Sequence, residues 1–188
     1  MVLSLTLYAT IGLTVVGVGL YLAGAYNQMV TSTREADRAF ANVEVSLKQR
    51  HDELPPLVEV CRGYMTHERQ TLERLVQIRS RFAAAGSVDE KVVVENELGR
   101  DLSRLVARAE AYPELKANQL FLQIGNRLTE LEGEIADRRE LFNAAVTAFN
   151  TYVESFPALL FGSVFGHHAR PLLDLDVSDK SDSITFSR

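Results

Sequence analysis

The residues that could do chemistry are few, and their spacing matches no catalytic motif. His67 and Glu68 begin the HExxH pattern of zinc proteases, but Thr71 stands where that pattern needs its second histidine. One helix turn therefore cannot supply the two imidazoles that hold the zinc. Ser163 follows Gly162 but lacks the glycine two positions before it, so it does not form a nucleophile elbow.

Cofactor and nucleic-acid motifs are equally scarce. No Glu-x-x-His pair of the di-iron bundles occurs, and the single cysteine, Cys61, excludes an intrachain disulfide and a thiolate zinc cluster. We interpret the adjacent His167 and His168 as exposed polar residues rather than metal ligands. A net charge of -5 without clustered Lys or Arg argues against nucleic acid as a partner. The sequence predicts no catalytic residue, metal, cofactor or small-molecule ligand.

The first part of the chain carries no charge. The first charged side chain is Arg34, and all 20 Lys or Arg and 25 Asp or Glu residues lie from there onward. As a helix, Val2 to Tyr26 would extend about 37 Å, enough to cross a ~30 Å hydrocarbon core with some tilt. We predict a single transmembrane helix within residues 1–27, with these residues representing the anchor: Leu5, Ile11, Val16, Leu20, Tyr21 and Tyr26.

This apolar stretch could be a retained membrane anchor or a cleavable signal peptide. Lys and Arg are absent before the stretch, whereas Arg34 and Arg38 follow it closely, which favours a cytoplasmic body and a short outer N-terminus. The alternative is a cleavable signal peptide, because Ala23-Gly24-Ala25 resembles a cleavage site. The apolar run is longer than a usual signal h-region and has no basic residue before it, so we favour the anchor.

The body, residues 28–157, is predicted to be all-α. Its prolines before residue 157 are Pro55, Pro56 and Pro113, and with the Gly86-Ser87 break they divide it into four long segments. None of these shows sustained period-2 alternation. Apolar residues recur in steps of three and four, which is typical of a helix that packs along one seam. Short connections make neighbouring helices antiparallel, which predicts an up-and-down bundle of four long helices.

Local signals predict where these helices begin and end. Ser87 and Glu90 have the spacing of a capping box, and Pro113 should end the preceding helix near Tyr112. No glycine or proline separates Tyr26 from Leu54, so we expect the anchor helix to continue directly into the first helix of the body.

A second apolar segment follows the body. If the four helices alternate in direction, the fourth ends near the bilayer, and residues 158–166 after it carry no charge. Nine residues are too few to span a membrane as a helix. We predict an interfacial or re-entrant contact through Leu159, Leu160, Phe161, Val164 and Phe165; the alternative is a strand-like tail packed on the bundle's own surface. Residues 167–188, rich in Asp and Ser from Asp174 onward, are expected to be a disordered tail.

Four polar residues lie in or beside the seams. Asn42, Asn143 and Asn150 could fix helix register as buried amides, or could simply be exposed. Arg138 interrupts the seam of the fourth helix, so it should snorkel or meet a carboxylate, with the Glu44/Asp52 region as a candidate partner.

Several longer strings resemble a known family. They are the run from Phe40 to Val58, Gly63-Tyr64, the string Ala111-Tyr-Pro-Glu-Leu-Lys-Ala-Asn118, and Phe156-Pro157. This pattern, over about residues 5–166, resembles the LemA family of bacterial membrane-anchored helical proteins. The resemblance implies one N-terminal span with a short outer end and a cytoplasmic helical bundle, and it carries over no catalytic residues.

The leading functional hypothesis is a non-enzymatic, membrane-tethered interaction or scaffold protein. An apolar helical seam suits self-association or binding to another membrane or cytoplasmic protein. Two alternatives stay open: an exported helical domain released by cleavage after Ala25, and an enzyme whose site is assembled across helices without a recognisable motif.

Overall fold

The computed structural model describes residues 2–162 and 166–175, with side chains from residue 6 onward except that of Phe161. Seven helices and no strand occur within these residues: α1 (Val2–Asp52), α2 (Leu54–Tyr64), α3 (Arg69–Ala84), α4 (Val88–Ala109), α5 (Pro113–Lys116), α6 (Gln119–Glu154) and α7 (Ala158–Phe161). The all-α prediction is confirmed. The uninterrupted α1, 51 residues long, also confirms that the apolar stretch continues into the first helix of the body.

Local signals account for several helix ends. The Ser87 hydroxyl accepts a hydrogen bond from the Glu90 amide, and the Glu90 carboxylate accepts from the Ser87 amide, so the predicted capping box begins α4. Pro113 lies in the first turn of α5, where its missing N–H costs no helical hydrogen bond. The stretch between α4 and α5 contains Tyr112, as the proline predicts.

The second predicted helix is divided in two. α2 ends at Tyr64 and α3 begins at Arg69, and at Met65 the backbone leaves the helical region (φ -102°, ψ 63°). Gly63 and Thr66 flank this point, and both have low helix propensity. The apolar seam continues on both sides of the break, with Met65 and Leu72 buried, so the spacing of apolar residues alone did not reveal it.

The chain forms two compact units, each assembled from separate stretches of sequence. One, the anchor unit, comprises residues 1–40 and 141–172; the other, the bundle unit, comprises residues 41–140 and 173–188. In the bundle unit, α3 packs against α2 and α4, and α5 packs against the same two helices. Its core is a continuous cluster that includes Leu57, Leu75, Leu98, Leu105, Leu115 and Leu128.

The anchor unit has a smaller core. Met29 of α1 packs with Phe149 and Val153 of α6, and half-buried Tyr152 covers this cluster. The Phe40 and Phe142 rings are 5.5 Å apart, while the Tyr152 hydroxyl donates to the Ala25 carbonyl at 2.7 Å. As residue numbers rise along α6, the contacts fall along α1, so the two helices run antiparallel in this unit.

Candidate functional site

The most extensive unusual surface of the anchor unit is the apolar start of α1. All residues from 6 to 24 are exposed, including Leu13 at 76%. By length and composition, this is the one helix in the described part of the chain that could cross a membrane. Soluble proteins rarely expose a contiguous apolar patch of this extent, because leaving it in water is unfavourable. The surface needs an apolar surrounding.

The predicted anchor residues lie on this surface. Each of four of these residues is more than half exposed: Ile11, Val16, Leu20 and Tyr21. Tyr26, just after the exposed stretch, is also exposed. Leu5 is helical in backbone, while its side chain lies outside the described residues. Together these positions form an apolar surface that surrounds the helix.

Two threonine hydroxyl groups within this stretch are satisfied inside the helix. The Thr10 hydroxyl donates to the Leu7 carbonyl and the Thr14 hydroxyl to the Thr10 carbonyl, each at 2.9 Å. A hydroxyl in lipid has no water to bond, so it must find such a partner on its own helix or on a neighbour. The local bonds make these threonines compatible with a hydrocarbon surrounding.

The predicted interfacial segment divides into exposed and buried positions. Leu159 and Leu160 are exposed, together with Phe156 just before the segment, whereas Pro157 and Ala158 are buried. Phe161 ends α7, but its side chain lies outside the described residues, as do Val164 and Phe165 altogether. The described part of the segment therefore has one packed side and one apolar outer side.

Arg138 does not meet the carboxylates expected for it. Its guanidinium, half-buried, donates to the Asn42 carbonyl at 3.0 Å and pairs with Glu134 at 3.3 Å, one turn earlier on α6. The expected partners are engaged elsewhere: Glu44 pairs with Lys91, and Asp52 lies 3.9 Å from Arg79. On α1 the arginine therefore reaches a main-chain oxygen rather than Glu44 or Asp52, and its acidic partner lies on its own helix. The Asn42 side chain itself is exposed.

Asn150 uses its amide to hold the chain that follows α7. Its side chain donates to the Arg170 carbonyl at 2.9 Å and accepts from the Arg170 amide at 2.8 Å. The Arg170 guanidinium pairs with Asp37 at 2.6 Å and lies over the Phe149 ring. These bonds fix residue 170 against α1 and α6 within the anchor unit. Asn143 is half-buried on α6.

A buried ionic cluster in the bundle unit was not predicted from the sequence. It comprises Arg50 and His51 of α1, Glu95 of α4 and Glu132 of α6. Glu95, only 3% exposed, accepts from His51 Nε2 at 2.5 Å and lies 3.4 Å from the Arg50 guanidinium. Arg50 also pairs with Glu132 at 2.7 Å. Arg50 and His51 of α1 thus pair with one carboxylate from α4 and one from α6.

The surroundings of this ionic cluster are largely closed to water. The His51 ring stacks on Phe82 with centroids 3.9 Å apart, and neither His51 Nδ1 nor Arg50 Nε has a hydrogen-bond partner. Burial raises the pKa of Glu132, an effect that the nearby Arg50 partly offsets. Unsatisfied polar atoms at this depth are costly, so the cluster trades stability for a specific pairing of three helices.

A signal for the ionic cluster was present in the seam. Leu98, Leu102 and Leu105 recur at three- and four-residue steps, and three residues before Leu98 is Glu95. A carboxylate at a seam position needs a buried cation opposite it. Arg50 and His51 stand near the end of α1 at the same level, but only the three-dimensional packing shows that they meet Glu95.

The remaining nucleophilic and metal-binding side chains are dispersed. Cys61 is buried in the bundle core, and burial raises the pKa of its thiol to about 12. The thiol therefore stays protonated at neutral pH and packs as a small apolar side chain. Among the described residues, no three His, Cys, Asp or Glu side chains gather where they could hold a metal ion.

Fold and surface together define a class: a helical protein with one N-terminal helix apolar enough to cross a membrane. A model of the LemA family matches residues 39–186, and the chain belongs to that family. The resemblance stated from the sequence is thereby confirmed. The family and the apolar helix indicate a membrane-associated protein.

Individual relatives show how far the similarity extends. A LemA protein of Metamycoplasma hominis is 29% identical over 135 residues, which cover 71% of this chain and 61% of the relative. Magnetosome proteins named MamQ, from Paramagnetospirillum magneticum and Magnetospirillum gryphiswaldense, are each 23% identical over 158 residues, 70% of this chain and 58% of theirs. The chain spans about three fifths of the length of these curated relatives.

Proposed function

We propose that this chain is a single-span membrane protein whose helical body acts as a non-enzymatic interaction or scaffold module. The observation that carries the proposal is the exposed apolar surface of residues 6–24, which needs lipid around it. We assign residues 1–27 to the anchor and residues 28–157 to the body, which binds a second copy or another protein.

The proposed orientation follows from charge. Arg34 and Arg38 lie within a few turns of the apolar stretch on its body side, and residues 1–33 carry no Lys or Arg. Positive charge near a span is retained on the cytoplasmic side, which favours a cytoplasmic body and a short N-terminus outside.

Packing at Ala25 supports retention of the anchor rather than its removal. The Ala25 side chain is buried, and its carbonyl accepts the Tyr152 hydroxyl bond. Cleavage after Ala25 would take this acceptor away and leave the hydroxyl of Tyr152 without its partner. The anchor unit is therefore complete only when the apolar helix stays attached.

A structural rather than catalytic use of the buried ionisable groups supports the non-enzymatic proposal. A general acid or base must come within hydrogen-bonding distance of its substrate. Glu95 and His51 are each 3% exposed and bond to each other, so a substrate would have to displace packed helices to reach them. The neutral thiol of Cys61 is likewise enclosed in the core.

Amine crosslinking in native membranes tests the interaction role. Lys48 is exposed on α1, and we expect crosslinkers of several lengths to produce species larger than the monomer. The matched control is Lys48→Arg, which keeps the charge but removes the reactive amine, and should weaken bands formed through this residue. Recovery of monomer alone with every crosslinker would contradict the proposal. A purified protein that begins at Tyr26 would instead establish cleavage of the anchor.

A further inference from the structure

A second apolar surface lies in the anchor unit, around the end of α6. Phe156 is 74% exposed and Leu160 66%, with Leu159 between them exposed to a similar degree. They belong to a run, residues 155–169, that contains no Asp, Glu, Lys or Arg. We call Phe156, Leu159 and Leu160 the apolar ledge.

Helix pairing places the ledge beside the C-terminal end of the apolar stretch of α1. The Tyr152 hydroxyl bonds to the Ala25 carbonyl, and the two helices run antiparallel within this unit. Phe156 follows the end of α6 at Glu154 by two residues, so the ledge begins at the end of the helix pair where Ala25 adjoins the exposed stretch of residues 6–24. Tyr21 is itself exposed, and tyrosine favours the boundary between hydrocarbon and headgroups.

The outward direction of the ledge is fixed by packing. Pro157 and Ala158 are buried, so turning the exposed residues inward would expose these two packed residues. The Gly162 amide closes the α7 turn on the Ala158 carbonyl at 2.6 Å. A Cβ atom at Gly162 would lie 3.0 Å from the same carbonyl, which shows how closely the chain packs on this side. The two sides of the segment therefore differ in exposure, since one packs on the protein and the other is open.

We infer that the apolar ledge is a second membrane contact, seated in the headgroup–acyl boundary of the leaflet from which α1 emerges. Its ligand is the lipid surface itself. A bilayer suits this site better than a protein because the ledge adjoins the end of an exposed surface that already needs lipid. The inference rests on the proposed anchor, since α1 sets the depth at which the ledge meets the bilayer.

The absence of tryptophan from the chain makes a direct test possible. In the full-length protein reconstituted into phosphatidylcholine vesicles, Leu160→Trp reports the ledge and Leu13→Trp reports the span. Leu141→Trp is the matched control, an equally exposed position about 20 Å before the end of α6. A lipid brominated high on the acyl chain quenches a tryptophan at the boundary and tests the ledge positions, whereas one brominated near the chain end quenches a tryptophan in mid-span and tests Leu13.

We expect Leu160→Trp to lose about twofold in emission, as for a side chain seated ~5–10 Å into the boundary, while Leu141→Trp is unaffected. Phe156→Trp should behave like Leu160→Trp, and a circular dichroism spectrum unchanged from the parent verifies the fold. Quenching at Leu13 but at neither ledge position would overturn the ledge and leave the anchor standing. A blue-shifted but unquenched Leu160→Trp would point to a protein cover and also overturn it. No quenching at Leu13 either would remove both proposals.

Discussion

The two units distribute polarity in opposite ways. The bundle unit buries charge, with Arg50, His51 and Glu95 enclosed among leucines, while the anchor unit exposes apolar side chains from residue 6 to 24 and again at the ledge. In water, a protein gains by enclosing leucine, whereas a buried charge must be paired. A helix that exposes leucine is stable only where its surroundings are apolar. The contrast therefore distinguishes the part built for water from the part built for lipid.

Removing a buried carboxylate should have the largest effect. Glu95→Ala leaves the Arg50 and His51 side chains buried without their shared partner, which should cost about 3–5 kcal/mol of unfolding free energy. Urea unfolding of the detergent-solubilised full chain, followed by circular dichroism, measures it.

The matched control lies two residues further along α4. Glu97 pairs with Arg81 at the surface, so Glu97→Ala should change the unfolding midpoint far less. Equal losses in the two variants would show that the buried ionic cluster has no special role in the bundle unit.

The same truncation placed in each unit should sharpen the comparison. Leu105 is fully buried, so Leu105→Ala leaves a cavity and should lower the free energy of unfolding by about 2–5 kcal/mol. Leu13→Ala in detergent should stay within about 0.5 kcal/mol, since that side chain packs on nothing in the protein. A comparable loss at Leu13 would mean that the anchor surface is covered by protein rather than by detergent or lipid.

The smallest effect concerns pH. Burial raises the pKa of Glu132 from its ordinary 4.5, so as pH rises above that value the unfolded chain loses this proton before the folded one does. The contribution of Glu132 to stability is therefore full below pH 4.5 and declines as pH rises through the raised pKa. Glu132→Gln removes this decline. As pH rises, the unfolding midpoint of the variant should therefore change more favourably than that of the parent. Glu130→Gln, at an exposed position of α6, is the control for removing one acidic side chain.

Features with a local cause were predictable from the sequence. The long α1 follows from the absence of Gly and Pro between Tyr26 and Leu54, and the start of α4 follows from Ser87 and Glu90. The exposed anchor surface was predictable because composition alone excludes charge from residues 1–33. In each case the determinants lie within a few residues of their effect or within one helix.

Features that depend on distant residues were not. The spacing of apolar residues does not indicate the break after Tyr64, because the seam continues across it. Glu95 interrupts the seam of α4, and only its contact with Arg50 in the folded chain explains its position. Arg138 shows the same limitation, since its partners are a main-chain carbonyl of α1 and Glu134 of its own helix rather than the acidic residues of α1. Sequence patterns locate apolar faces, whereas polar pairing depends on which faces meet.

Cys61 has a practical consequence for work on this protein. As the only thiol, fully buried and with its pKa raised to about 12, it should be inert to maleimides while the bundle unit is closed. Its labelling rate in the folded protein thus measures how often that unit alone opens. A second cysteine introduced at the exposed Leu141 position would react at once, so one chain can carry a fast-labelling site beside the protected thiol.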